Sequence, residues 1–106
     1  MDPSEALKAI DDTKGALTYI LILTEPETQK MERLDLIEVM RNKGINRDKF
    51  YRITKAMADV GLIEEVTMQP NGRVKIVETE LTPKGRRLAE LVKKIEQALT
   101  PENEHF

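Results

Sequence analysis

The chain has 106 residues, enough for one domain with one core, and no run approaches the ~20 apolar residues that a membrane span needs. It has no cysteine and one histidine, His105, which excludes disulfides and Cys/His zinc sites and is in keeping with a reducing cytoplasm. The net charge is only −2, but residues 41–94 hold thirteen Lys/Arg against seven Asp/Glu, so one face of the molecule is expected to meet an anionic partner.

The first quarter of the chain predicts two helices. Residues 3–12 form the first, capped by Asp2 or Ser4, with Leu7 and Ile10 as a narrow apolar stripe. Residues 14–24 form the second, or continue the first across Gly15, and end before Pro26 because the residue before proline resists α geometry. Four side chains of this segment are expected to be largely buried: Leu17, Ile20, Leu21 and Leu23.

The central part predicts two further helices after a short extended piece at 31–33. Residues 34–43 form a helix with Leu34, Ile37 and Met40 on one side, and Gly44 follows its end. Asn46 is a good N-cap for the next helix, 46–60, where Ile45 and Phe50 have the spacing of a hydrophobic staple. The apolar face of this helix carries Phe50, Ile53, Met57 and Val60, and the opposite face carries Arg47, Asp48, Tyr51, Arg52 and Lys55.

The last part predicts a β-hairpin and a long helix. Residues 62–68 and 73–81 are the strands, and Asn71-Gly72 between them is typical of a two-residue type I′ turn, which places Arg73 beside the tip and Lys75 on the return strand. Thr82 caps a final helix that runs from Pro83 to about Leu99. Its apolar stripe consists of Leu88, Leu91, Val92, Ile95 and Leu99.

The order of elements predicts an α+β fold that is mainly helical. The helices 34–43 and 46–60, joined by 44–45, have the form of a helix-turn-helix, and the hairpin that follows makes it a winged helix with a two-stranded wing and a long C-terminal helix. We expect a single domain over 1–106 with its core in 14–82. The terminal helices, 3–12 and 83–99, then become candidate dimerisation elements.

The segments 60-VGLIEEV-66 and 72-GRVKIVETELTPKGRRLAEL-91 resemble the winged helix-turn-helix transcriptional regulators, especially small MarR-like and PadR-like proteins and short archaeal relatives. In that family "GLI" ends the recognition helix, a wing follows, and "LT-x-x-G" opens the next helix. The resemblance implies that helix 46–60 lies in the major groove of DNA. It also implies that the hairpin tip, 69–75, reaches the backbone or the minor groove, where Arg73 would enter.

The residues themselves leave alternatives open. Arg47, Arg52 and Lys55 can contact bases or phosphates, Tyr51 a phosphate or a thymine methyl, and Asp48 a cytosine amino group, but the same face could be solvated, with Asp48 paired to Arg52. Lys43 either contacts phosphate or only complements the helix dipole, as could Arg41. Arg73 and Lys75 on the wing either contact DNA or only keep the hairpin soluble.

The function expected is therefore sequence-specific binding of double-stranded DNA by a transcriptional regulator, and the rival is a winged-helix module that docks an acidic protein. No phosphate-binding glycine loop, nucleophile elbow or zinc ligand set is present, so neither an enzyme nor a cofactor or metal site is expected. The stripe of the last helix either packs on its own domain or forms a dimer seam with a symmetry mate. A homodimer through this stripe together with Leu7 and Ile10 is expected, because that helix is long for a small winged domain.

Overall fold

The computed structural model describes residues 2–69, Gly72 and residues 75–101. The helices and strands, in chain order, are α1 (Pro3–Asp12), α2 (Ala16–Ile22), a 3₁₀ helix (Pro26–Thr28), α3 (Arg33–Asn42), α4 (Arg47–Asp59), β1 (Ile63–Met68), β2 (Ile76–Leu81) and α5 (Pro83–Leu99). The predicted class, a mainly helical α+β winged helix-turn-helix, is confirmed. The helix α2 is shorter than 14–24 because Gly15 precedes it with a left-handed φ of 88°.

The core lies where α2, α3 and α4 meet under the base of the hairpin, and α5 packs against α2. Tyr19 and Phe50 are fully buried at its centre, with their ring centroids 5.9 Å apart. Ala89 and Val92 of α5 are also buried, so the first half of that helix packs against its own protomer. The core therefore extends beyond residue 82, the limit expected from the sequence.

Two leucines expected on buried faces are exposed. Leu17 is 42% exposed, because the inner face of α2 is formed at i, i+3 and i+4 by Ala16, Tyr19 and Ile20. Leu34 is 61% exposed, because α3 turns Leu36, Ile37 and Met40 inward and Leu34 lies on another side of the helix. The expectation was correct for Ile20 and Leu23, whereas Leu21 is only half-buried.

Both helices of the helix-turn-helix end in the same hydrogen-bonded motif. After α3, Gly44 has a φ of 95° and its N–H donates to the carbonyl of Arg41, while the N–H of Ile45 donates to that of Met40. Gly61 and Leu62 repeat this pattern after α4. These are Schellman motifs, in which a left-handed glycine lets the last carbonyls of a helix find donors.

The wing is a two-stranded antiparallel sheet whose register differs from the predicted one. A two-residue turn at Asn71-Gly72 would pair Met68 with Lys75, but Met68 pairs with Ile76. The N–H of Gly72 donates to the carbonyl of Gln69 at 3.1 Å. The two-residue turn was thus the wrong prediction for these strands, and Asn71 and Arg73 themselves lie outside the described residues.

The start of α3 holds the wing against the helices. The predicted extended piece at 31–33 is reduced to Glu32, which forms an isolated antiparallel bridge with Glu78 of β2, while Arg33 already belongs to α3. The guanidinium of Arg33 donates to Glu65 of β1 at 2.7 Å. The start of α3 therefore contacts both strands of the hairpin and restrains its orientation.

One buried hydrogen bond between side chains connects α2 to α4. The hydroxyls of Tyr19 and Thr54 lie 2.8 Å apart, and both residues are buried. Burial raises the pKa of the Tyr19 phenol above its usual 10.0, and the nearby Glu65 carboxylate acts in the same direction. The phenol therefore remains protonated in the folded protein over the range in which an exposed tyrosine ionises.

Replacing Tyr19 with Phe should lower the free energy of unfolding at neutral pH by about 1–3 kcal/mol, since Thr54 is left without its buried partner. The difference between the two proteins should narrow above about pH 10. There the unfolded tyrosine loses its proton while the folded one keeps it, which lowers the free energy of unfolding of the wild type. The Phe variant has no group at this position to ionise, so its free energy of unfolding does not fall for this reason. Denaturant unfolding of both proteins at neutral and at alkaline pH measures this. A difference that stays constant across that range would contradict the assignment.

Candidate nucleic-acid interface

The helix α4 is fixed at both ends and along its inner side. The side chain of Asn46 caps it by accepting from the N–H of Lys49 at 2.9 Å, which confirms the predicted N-cap. Ile45 before the cap and Phe50 in the first turn are both buried, as a staple requires. The inner face is buried at Phe50, Ile53, Thr54 and Met57. Since this face cannot turn, the direction in which the outer face points is also fixed.

The outer face of α4 brings together the five residues predicted there, and all are exposed: Arg47, Asp48, Tyr51, Arg52 and Lys55. The ring of Tyr51 meets that of Phe50 nearly edge-on, with centroids 5.5 Å apart and planes at 83°. The guanidinium carbon of Arg47 lies 5.8 Å from the centroid of Tyr51, within range of a cation–π contact. The buried ring of Phe50 thus positions the exposed ring of Tyr51, which in turn positions Arg47 in the first turn of α4.

The cations of this face differ in how far they are neutralised. Lys55 pairs with Asp59 one turn later at 2.9 Å, whereas the alternative pair of Asp48 with Arg52 does not form. Within the described part of the chain, Arg52 has neither an ion pair nor a side-chain hydrogen bond. Exposed ion pairs contribute little stability, so Lys55 could still leave its partner, but Arg47 and Arg52 need no rearrangement of an ion pair to accept an anion.

Lys43 and Arg41, at the end of α3, are turned toward acids of their own chain. The ammonium of Lys43 lies 3.4 Å from a carboxylate oxygen of Glu25, and Arg41 pairs with Glu38 one turn earlier in the helix. Among the described residues, neither of them forms a hydrogen bond or an ion pair with the outer face of α4. Lys43 is therefore a weaker candidate for a phosphate contact than the residues of α4.

The wing carries its positive charge near the tip and its negative charge at the base. Lys75 is exposed immediately before β2, and Arg73 lies outside the described residues. Toward the base, Glu64 stands directly opposite Glu80 across the two strands. Such a pair disfavours the approach of a polyanion, so the base of the wing is not suited to bind one.

Sequence reasoning missed the pair that supports α4 from behind, Tyr19 and Thr54. Thr54 follows Phe50 by four residues, so it lies on the apolar face, and a hydroxyl there needs a buried partner. The four-residue spacing from Phe50 to Thr54 therefore indicated a buried hydroxyl in the sequence. The partner could not be named, because Tyr19 is 35 residues away in the sequence.

The described residues contain no group of three or more His, Cys, Asp or Glu side chains placed to hold a metal ion. Within the same residues, no helix combines the length and apolar character required to cross a membrane. What the interface offers chemically is a set of hydrogen-bond donors with positive charge, Arg47 and Arg52 above all, next to one phenolic ring. Such groups bind anions and the hydrogen-bonding edges of planar bases.

A solved structure has a similar fold. The X-ray structure of a PadR-like transcription factor from Bacteroides fragilis matches this chain with a TM-score of 0.64 and 14% sequence identity, over 93% of this chain and 96% of that one. No protein-family model and no curated protein matches the sequence. At this identity the likeness concerns the fold alone. The chain therefore has a winged helix-turn-helix fold similar to that of this PadR-like transcription factor.

Proposed function

We propose that this protein binds double-stranded DNA and regulates transcription, with the helix 46–60 in the major groove. The observation that carries the proposal is the outer face of α4. Arg47 and Arg52 are exposed there, have no acidic partner among the residues that the structure describes, and stand on a helix whose inner face is buried in the core. A helix that reads the major groove needs a fixed orientation, which the buried inner face provides. It also needs hydrogen-bond donors that are not already paired, which the two arginines provide. The fold shared with a PadR-like transcription factor agrees with this reading.

Each residue of the outer face has a chemical role in this proposal. An arginine can donate two hydrogen bonds to O6 and N7 of guanine, so Arg47 and Arg52 are the candidate base readers. Tyr51 offers its hydroxyl to a phosphate or its ring to a thymine methyl. Asp48 can accept from the amino group of cytosine but repels a nearby phosphate. Lys55 lies further along the helix and would contact a phosphate after leaving its exposed pair with Asp59.

The loop of the wing positions the protein on the duplex in the same proposal. Lys75 and Arg73 lie within the seven residues that connect β1 to β2, and the acidic base of the wing restricts contact to this loop. An arginine there would be attracted to a narrow A·T-rich minor groove, whose potential is strongly negative. The protein is proposed to act in the cytoplasm, a reducing compartment in keeping with a chain without cysteine.

The protein is further proposed to be a C₂ homodimer through α1 and the second half of α5. Four leucine and isoleucine side chains of these helices are more than half exposed in the single chain: Leu7, Leu91, Ile95 and Leu99. The other expected members contribute less, because Val92 is buried in its own protomer and Leu88 and Ile10 are half-buried.

Charge also favours a second copy as the partner of this surface. The helix α1 and its cap carry Asp2, Glu5, Asp11 and Asp12, whereas α5 begins with Lys84, Arg86 and Arg87. A groove of about 300 Å³ between α1 and α5 is lined by Leu7, Ile10, Leu88 and Leu91, with Lys84 and Arg87 also among its lining residues. A two-fold axis would let the acidic helix of one protomer face the basic turn of the other.

Replacing Arg47 or Arg52 with Ala should weaken binding to a selected duplex by roughly 1–3 kcal/mol and relax the base preference at one position. Lys14→Ala is the matched control, since it removes the same charge from an exposed position between α1 and α2 and should leave affinity nearly unchanged. Fluorescence anisotropy measures the affinity for a site selected from random duplexes, and the base preference when single base pairs of that site are changed. Arginine variants that bind like the control would exclude α4 as the reading helix, and an affinity insensitive to salt would favour the protein-docking rival.

Arg73→Ala should weaken binding most on sites with A·T-rich flanks, because their narrow minor groove attracts arginine. Lys75→Ala serves as the comparison. Lys75 is an exposed lysine of the same loop and should contact phosphate, so its loss should weaken binding equally on either flank. The two variants are titrated against one central site with A·T-rich or G·C-rich flanks. Equal losses for Arg73→Ala on both flanks would reduce this residue to a phosphate contact.

Ile95→Glu should break the dimer without unfolding the protomer, because Ile95 is 56% exposed in the single chain and would be buried only in the dimer. Leu34→Glu is the control, since Leu34 is 61% exposed on α3, away from the proposed seam. Light scattering gives the mass and circular dichroism the helicity of each variant. A wild type that is monomeric at tens of micromolar, or an Ile95→Glu variant that loses its helicity, would contradict the dimer.

A further inference from the structure

Four residues join the end of α4 directly to the start of α5, although the whole wing lies between them in the sequence. The hydroxyl of Thr82 donates to the carbonyl of Gly61 at 2.6 Å, and the N–H of Thr82 donates to the carbonyl of Leu62 at 3.1 Å. The same hydroxyl oxygen accepts from the N–H of Gly85 at 3.1 Å. We call this arrangement of Gly61, Leu62, Thr82 and Gly85 the α4–α5 joint.

Gly85 is the residue that allows the joint to close. A Cβ atom at this position would lie 2.0 Å from the carbonyl oxygen of Leu62 and 3.0 Å from its carbonyl carbon, which real structures do not tolerate. Both obstacles are backbone atoms and cannot rotate away. The first turn of α5 therefore touches Leu62, the last residue of the Schellman motif of α4, at a distance that only glycine permits.

The joint contains more than a helix cap. Capping α5 requires only that the side chain of Thr82 accept from Gly85, and an aspartate would do this as well. The second bond, from the hydroxyl of Thr82 to Gly61, spans 21 residues and contributes nothing to the α5 cap itself. It restrains the direction of α5 relative to α4.

We infer that Thr82 and Gly85 are positioning residues that fix the angle between α4 and α5 and thereby the half-site spacing that the dimer accepts. This inference rests on the proposed function, because α4 is the proposed reading helix and α5 carries the proposed dimer seam. In a symmetric dimer, any rotation of α4 against α5 is repeated by the two-fold axis and moves the two reading helices apart or together. Half-sites on one face of DNA are about 10 base pairs apart, so small rotations change the fit.

The restraint on the angle can be tested without DNA and without the dimer. The chain has no cysteine, so spin labels at Ala58→Cys on α4 and Lys94→Cys on α5, both exposed positions, report one distance within a protomer. Labelled chains are diluted into unlabelled protein to suppress distances between protomers. Thr82→Ser keeps both roles of the hydroxyl, Thr82→Asp keeps the cap but cannot donate to Gly61 when ionised, and Gly85→Ala forces the joint open.

We expect the wild type and Thr82→Ser to give the same narrow distance distribution, and Thr82→Asp and Gly85→Ala to give a broader and shifted one. If Thr82→Asp keeps the wild-type distribution, the inference is overturned, because the bond to Gly61 then restrains nothing. Should Gly85→Ala fail to fold, Thr82→Asp alone decides the question, since aspartate preserves the cap of α5.

The effect on spacing is measured with duplexes that carry one selected half-site, or two at varied separation. The wild type and Thr82→Ser should bind duplexes of one half-site separation better than duplexes in which the separation is about two base pairs longer. In Thr82→Asp the ratio of these two affinities should fall roughly tenfold, while the affinity for a single half-site stays unchanged. If the distance distribution of Thr82→Asp broadens but its preferred half-site separation does not change, the proposed role in spacing is overturned. A wild type that binds no selected duplex would overturn the proposed function and the role in spacing together, while the distances still decide whether the joint restrains α5.

Discussion

The burial of the inner face of α4 is the constraint on which the rest of the structure depends. Phe50, Ile53 and Met57 pack into a core formed with Tyr19 of α2 and with the buried side of α3. Burying side chains of this size contributes roughly 1.5–3 kcal/mol each, a large share of the marginal stability of a small domain. Because the inner face cannot leave the core, the outer face has one direction in space, and the two Schellman motifs fix where α3 and α4 end.

Charge is distributed around this helix in a way that only the three-dimensional structure makes clear. Three acids of the helices and the wing have cationic partners, in the pairs of Glu25 with Lys43, Glu65 with Arg33 and Asp59 with Lys55. Within the described ranges, the two arginines of the outer face of α4 have no acidic partner. The net positive charge of residues 41–94 therefore does not spread evenly over the surface. It is available at the start of α4 and near the wing loop, whereas the base of the wing is acidic.

The elements and their order could be predicted from the sequence because their signals are local. Asn46 and Thr82 cap the helices they were expected to cap, Gly44 ends α3, and the exposed face of α4 carries the five residues expected there. These features depend on residues three to five positions apart, where helix periodicity and capping chemistry operate. The candidate interface could be proposed for the same reason, since it lies on one regular helix.

The features that could not be predicted depend on distant partners. Leu17 and Leu34 are apolar at helical spacing, but which side of a short helix is covered is decided by the neighbouring helices. The register of the wing departs from the two-residue turn because Ile63 pairs with Leu81 at its base, where both are buried, and the pairing continues from there. The Tyr19–Thr54 bond and the α4–α5 joint connect residues 35 and 21 positions apart, beyond the reach of any local pattern.

The most direct test of the central claim is a titration of the isotope-labelled protein with duplex DNA, followed by the backbone amide resonances in two-dimensional NMR spectra. If the outer face of α4 lies in the major groove, the largest changes should fall on residues 46–55, with a second set around the wing loop. The amides of α1 and of the second half of α5 should change little. Changes confined to α1 and α5, or none at low salt where phosphate contacts are strongest, would contradict the account.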